Sequence, residues 1–143
     1  MTAALPWIPG AVRELLLADA EFTAACSGYC AATAPSTIIG PFAQLRLVGN
    51  YSLAGNVAFK PLVQVDGWAP ASMTTTDPTG AAWRVAAEAA RVLAEAANVA
   101  WRSVTYTARV VDGPMEGAPD TSRGTATPLL RALVRAELTV HNH

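Results

Sequence analysis

The sequence predicts an α+β fold: an antiparallel sheet of about four strands with helices packed on one face, and a long central helix between two hairpins. Three observations carry this expectation. Residues 43–48, 62–68, 102–111 and 130–140 alternate apolar and polar side chains with the period of a strand. Residues 81–97 instead repeat their apolar side chains with helical spacing. The resulting order is helix, helix, strand, strand, helix, strand, strand, and such a set buries its apolar faces by stacking helices on a sheet. At 143 residues, one core and a single domain spanning 1–143 are expected.

In chain order, Pro9 and Gly10 open a first helix through about Asp19, with Val12, Leu15 and Leu16 on one side and Arg13 and Glu14 on the other. Asp19 then fits the N-cap of a second short helix carrying Phe22, Ala25 and Cys26, which Gly28 would stop. Residues 27–42 have no clear period and read as a loop with at most an edge strand. In the first strand Ala43, Leu45 and Leu47 oppose Gln44 and Arg46; in the second Val63 and Val65 oppose Gln64 and Asp66. The Gly49-Asn50 and Gly55-Asn56 pairs predict a long, turn-rich tip between them.

Residues 70–80 form a polar connector, and Asp77-Pro78 supplies an N-cap and first turn for the main helix. Its predicted dry face is Trp83, Ala86, Ala87, Ala90, Leu93, Ala94 and Ala97, with Trp83 and Leu93 as anchors. Arg84, Glu88, Arg91 and Glu95 form complementary pairs opposite. So many alanines let a helix of about 25 Å lie directly on a sheet. In the last strand Leu130, Ala132, Val134, Ala136, Leu138 and Val140 make one apolar face. Between the last two strands, residues 112–128 are rich in Gly, Pro, Asp and Thr and read as a long loop, a length usually functional or disordered. The polar sheet face is expected to carry Arg46, Gln64, Asp66, Arg131 and Arg135.

Composition narrows the function classes. Hydrophobic residues make up 52% of the chain and charged residues 15%, which suits a folded core rather than disorder. Ten Lys and Arg, nine of them Arg, nearly balance eleven Asp and Glu and are scattered, so no footprint for nucleic acid or membrane is visible. Pro6, Pro9, Arg13, Glu14, Asp19 and Glu21 break up any secretory signal, and no apolar run is long enough to span a membrane. Cys26 and Cys30 lack a second Cys or His pair and read as small half-buried thiols in a reducing, intracellular setting.

The search for chemistry predicts no enzyme and no cofactor or metal. Phosphate-binding Gly-rich loops, HExxH, GxSxG and cysteine-zinc arrays are all missing from the sequence. His141 and His143 sit at the end of the chain, without the rigid support a catalytic base needs. Glu88 and Glu95 are accounted for by arginine pairing, and Asp112, Glu116 and Asp120 by a solvated loop. Trp7, Trp68, Trp83 and Trp101 could stack on bases, but without interleaved basic residues they read as packing.

Four strings together resemble the tail-terminator and tail-completion family of long-tailed phages. They are AVRELLLADAEFTAACSG, PLVQVDGWAP, GAAWRVAAEAARVLAEAA and VVDGPMEGAPDTSRGTATPLLRALVRAELTV. The first resembles that family's opening helices, the second its central strand, the third its long helix and the last its closing hairpin. The long 27–42 segment and the 49–56 tip depart from the pattern. The resemblance implies a non-enzymatic virion protein, made in the host cytoplasm, that forms a homo-hexameric ring at the head-proximal end of the tail. Its implied partners are further copies of itself, the major tail tube protein and the head-tail connector, with no membrane and no sequence-specific nucleic acid. On that reading the candidate interface comprises Asp112, Met115, Glu116, Asp120 and Arg123 of the loop, and Arg131 and Arg135 of the last strand. A neighbouring head-tail joining protein, a small-molecule-binding regulatory domain, and an enzyme with an unrecognised carboxylate site remain alternatives.

Overall fold

The computed structural model describes residues 6–50, 58–73, 77–122 and 127–142. Helix α1 (Ile8–Leu17) begins with Pro9 in its first turn, where a missing N–H costs nothing, and buries Ile8, Ala11, Val12 and Leu16. Helix α2 (Ala20–Ala25) is capped by Asp19, whose carboxylate accepts from the Phe22 N–H at 3.0 Å. Helix α3 (Pro78–Ala94) is capped by Asp77, which accepts from the Gly80 N–H at 3.1 Å. Arg91 of α3 reaches Asp19 at 2.6 Å and so ties α3 to the start of α2. The Phe22 hydrogen bond, and then Arg91, hold the Asp19 carboxyl below its ordinary pKa. No described helix is long and apolar enough to cross a membrane.

The strands are β1 (Cys30–Ala31), β2 (Phe42–Gly49), β3 (Ala58–Phe59), β4 (Leu62–Pro70), β5 (Val99–Trp101), β6 (Val104–Asp120) and β7 (Leu129–Asn142). They form one curled, seven-stranded sheet in the order β1-β2-β4-β7-β6-β5, with β3 pairing separately to β7. The β1–β2 pair is parallel and the others are antiparallel, so the sheet is mixed.

This architecture overturns the expected antiparallel sheet of about four strands with a central helix between two hairpins. Strands of two or three residues, β1, β3 and β5, are too short to show an alternation. The 112–128 stretch is not a loop over most of its length. β6 continues through Asp120, pairing Asp112 with Arg135, Met115 with Leu133 and Gly117 with Arg131. Three register shifts between Val110 and Asp120 absorb its Gly and Pro residues, including a cis Gly113-Pro114 bond, and these irregularities erase the period-two pattern. The Gly55-Asn56 part of the expected tip lies outside the described residues.

The face of α3 also differs from expectation. Its buried residues are Ala82, Val85, Ala86, Ala89, Val92 and Leu93, while Trp83 is 40% exposed and lies outside this buried stripe. Two valines, rather than the tryptophan, set the stripe. Gly67 of β4 is what lets the helix lie so close: a Cβ there would run into the Ala82 carbonyl and come within 2.8 Å of the Val85 Cβ. The main core joins Val12 and Leu16, Phe22, Val85 and Leu93 from the three helices to Val63, Val65, Val134, Leu138 and Tyr106 of the sheet. Cys26 and Cys30 are free thiols in this core. Burial pushes the Cys30 thiol up to about 12 and the Cys26 thiol upward, so both stay protonated.

Candidate functional site

Pairing register places the even-numbered residues of β2 and β4 and the odd-numbered residues of β7 on the sheet face away from the helices. Gln44 lies opposite Asp66, Arg46 opposite Gln64, Gln64 opposite Arg135, and Trp68 opposite Arg131. These side chains form one connected array. Asp66 has no exposed surface, and two guanidiniums and an amide converge on it. Arg46 Nε donates to Oδ2 at 2.9 Å; Arg131 Nε at 3.0 Å and Gln64 Nε2 at 2.8 Å donate to Oδ1. The Gln64 carbonyl in turn accepts from Arg135 Nε at 2.8 Å, and Arg135 pairs with Asp112 at 3.1 Å. Glu137, on the same face, is reached by Arg109 at 3.3 Å and Lys60 at 3.8 Å.

At the β1–β2 side of the sheet, Trp68 donates its indole N–H to Gln44 at 3.1 Å, and the Arg131 guanidinium lies 5.3 Å from the Trp68 ring centroid. Phe42, Trp68 and Leu129 form a small apolar cluster there, with Tyr29 and Ile38 packed on it. A Cβ on Gly117 would stand 2.9 Å from Arg131 Cδ, so the glycine leaves room for the arginine stem to reach Asp66. The array holds three arginines against two carboxylates around Asp66. Its chemistry is that of a rigid charged panel: its carboxylates already hold cations, and Asp66 is sealed from solvent. Among the described residues no three His, Cys, Asp or Glu side chains gather into a metal-binding cluster.

The sequence-based candidates are distributed unevenly over this surface. Arg131, Arg135 and Asp112 belong to the panel, but Arg131 is turned inward onto Asp66, with only 20% of its side chain exposed. Met115 lies opposite Leu133, and Glu116 is exposed opposite Ala132. Asp120 ends β6 and accepts from the Ser122 N–H at 2.9 Å. Arg123 lies outside the described residues. These residues therefore sit on a strand and its end, not on the free loop expected. Asp66, Gln64 and Arg46, named from alternation only as members of the face, turn out to be its centre. The signal that marks it is an amide and a carboxylate two residues apart, Gln64 and Asp66, in an otherwise apolar strand.

The two outer strands leave edges open. β1 covers β2 only at Ala43 and Gln44, and β5 covers β6 only from Val104 to Tyr106. Among the described residues, 45–49 of β2 and 109–119 of β6 have no strand on their outer side. Val48 and Val111 fall at register shifts in these two strands and are 44% and 43% exposed. No protein-family model matches the chain, and no curated protein is significantly similar to it.

Proposed function

We propose that this chain is a structural virion protein of a long-tailed phage: a tail terminator that closes as a ring, six-fold as the resemblance implies, on the end of the tail tube. The observation that best supports assembly is the pair of open strand edges on opposite sides of one sheet. Unpaired edges with apolar side chains are templates for another strand, and a stable protein covers them or blunts them. Here one edge of β2 and one of β6 can meet between neighbouring copies, a head-to-tail contact that closes into a ring when the rotation per copy allows it. The bulges and the prolines at 114 and 119 restrict which strand fits, which favours one register over indiscriminate aggregation. The Asp66 panel then serves as the stiff support of both edges, and Met115 and Glu116 lie on the arm of β6 that the neighbour or tube would meet.

Native mass spectrometry across a concentration series, with negative-stain imaging of large species, tests this reading. A discrete closed oligomer that Val48→Asp breaks into monomers is the expected result. A monomer at every concentration, or an oligomer indifferent to charge at both edges, overturns edge-to-edge assembly.

A further inference from the structure

A second surface, away from the Asp66 panel and from both open edges, joins parts of the chain some ninety residues apart. The start of α1 and the β5–β6 turn enclose a cleft of about 520 Å3, walled by Trp7, Gly10, Arg13, Glu14, Trp101 and Arg102. The position of a Cβ on Gly10 lies 3.4 Å from Trp7 Cε3 and 3.6 Å from Trp101 Cζ2, so the two indoles flank the glycine at van der Waals distance. Trp101 is held in place: its indole N–H donates to the Glu14 carboxylate, and the Arg102 guanidinium lies 4.6 Å from its ring centroid. Trp7 is 52% exposed, far more than packing α1 onto the sheet requires.

Two further observations point to a ligand. Among the described residues, every Lys and Arg forms an ion pair except Arg13 and Arg102, and both line this cleft. Arg13 uses only its Nε, on the Cys30 carbonyl at 2.7 Å, which leaves its terminal nitrogens free to donate. Next to the cleft, a smaller open hollow of about 200 Å3 shares Glu14 and Trp101 and is lined by Tyr106. Tyr106 is 1% exposed, and its hydroxyl is the buried polar side-chain atom without a hydrogen-bond partner among the described residues. A buried donor without an acceptor is costly.

We propose that this cleft binds a nucleotide, with the base on Trp7 and the phosphate on Arg13 and Arg102. The requirement is a planar aromatic group carried beside an anion, which is what a nucleoside phosphate presents. An exposed indole is a stacking platform for any base, and guanidiniums match phosphate oxygens with paired donors. Glu14 supplies an acceptor at the cleft wall for the polar edge of the base. Trp101 has Arg102 as its neighbour in the chain, and the fold brings Arg13 of α1 to the same cleft. The assignment is independent of ring assembly, since none of these residues lies on either open edge.

Isothermal titration calorimetry of the full chain with adenosine monophosphate, adenosine, inorganic phosphate and a short single-stranded oligodeoxyadenylate tests it. The monophosphate should bind saturably and about ten-fold or more tighter than adenosine or phosphate alone. Trp7→Ala and Arg102→Asn should each weaken it about ten-fold or more, asparagine being chosen because residue 102 has φ +53, which asparagine tolerates. Tighter binding of the oligonucleotide than of the monophosphate would assign the site to a nucleic-acid strand, and the reverse to a free nucleotide. Inorganic phosphate binding as well as the monophosphate, or no saturable heat into the millimolar range, overturns the proposal, as does full binding by a folded Trp7→Ala variant.

Discussion

Asp66 shows how a single side chain sets the character of a whole sheet face. Its carboxylate is sealed from water, yet Arg46, Arg131 and Gln64 all donate to it. Taking a carboxylate ion out of water costs several kcal/mol, and the cost is offset only by close partners in good geometry. Asp66→Ala should therefore destabilise the fold by about 3 kcal/mol, the low end for a broken buried pair, because both guanidiniums can turn back toward solvent. Asp66→Asn, which keeps one acceptor oxygen, should cost less. Urea denaturation of the two variants checks the order, and equal stability of Asp66→Ala and the parent would mean that the array contributes nothing.

At the scale of elements, the fit of α3 to the sheet depends on small residues on both sides. Ala82, Ala86 and Ala89 on the helix and Gly67, Ala69 and Ala132 below it form the contact, and Gly67 is the point of closest approach. A methyl group at 67 meets backbone of α3, which cannot move aside as a flexible side chain would. Gly67→Ala should therefore cost about 2 kcal/mol or more, as overpacking does, and lower the thermal midpoint by several degrees. An unchanged midpoint would show that α3 can lift without loss. β6 illustrates the opposite tolerance, since its bulges accommodate glycines and prolines that would end a regular strand.

For the whole molecule, what matters is that the open edges belong to one sheet and face opposite ways. This gives a test more specific than oligomer mass. Val48→Asp should block only the β2 edge and Val111→Asp only the β6 edge. Each variant alone should be monomeric, and an equimolar mixture should form a one-to-one dimer through the two edges left intact. Dimers in either variant alone would mean that a like edge pairs with itself, and a mixture that stays monomeric would mean that these edges do not meet. Charge at an edge acts locally, so neither change should alter the core on the opposite side of β4 and β7.

By itself, the sequence determined the positions of β2, β4 and β7, the caps at Asp19 and Asp77, and the membership of Gln64, Asp66, Arg131 and Arg135 in one polar face. These follow from local periodicity and local hydrogen bonding, which a chain cannot hide. Tertiary structure alone decided the sheet's size, because two-residue strands such as Cys30–Ala31 exist only through their partners. It decided that 112–120 is strand, because pairing with β7 outweighs the preference of Gly and Pro for turns. It also decided which side of α3 is dry, because burial follows the shape of the neighbouring layer rather than the size of Trp83. The meeting of Trp7 with Trp101, and of Arg13 with Arg102, lies between distant segments and is set by packing.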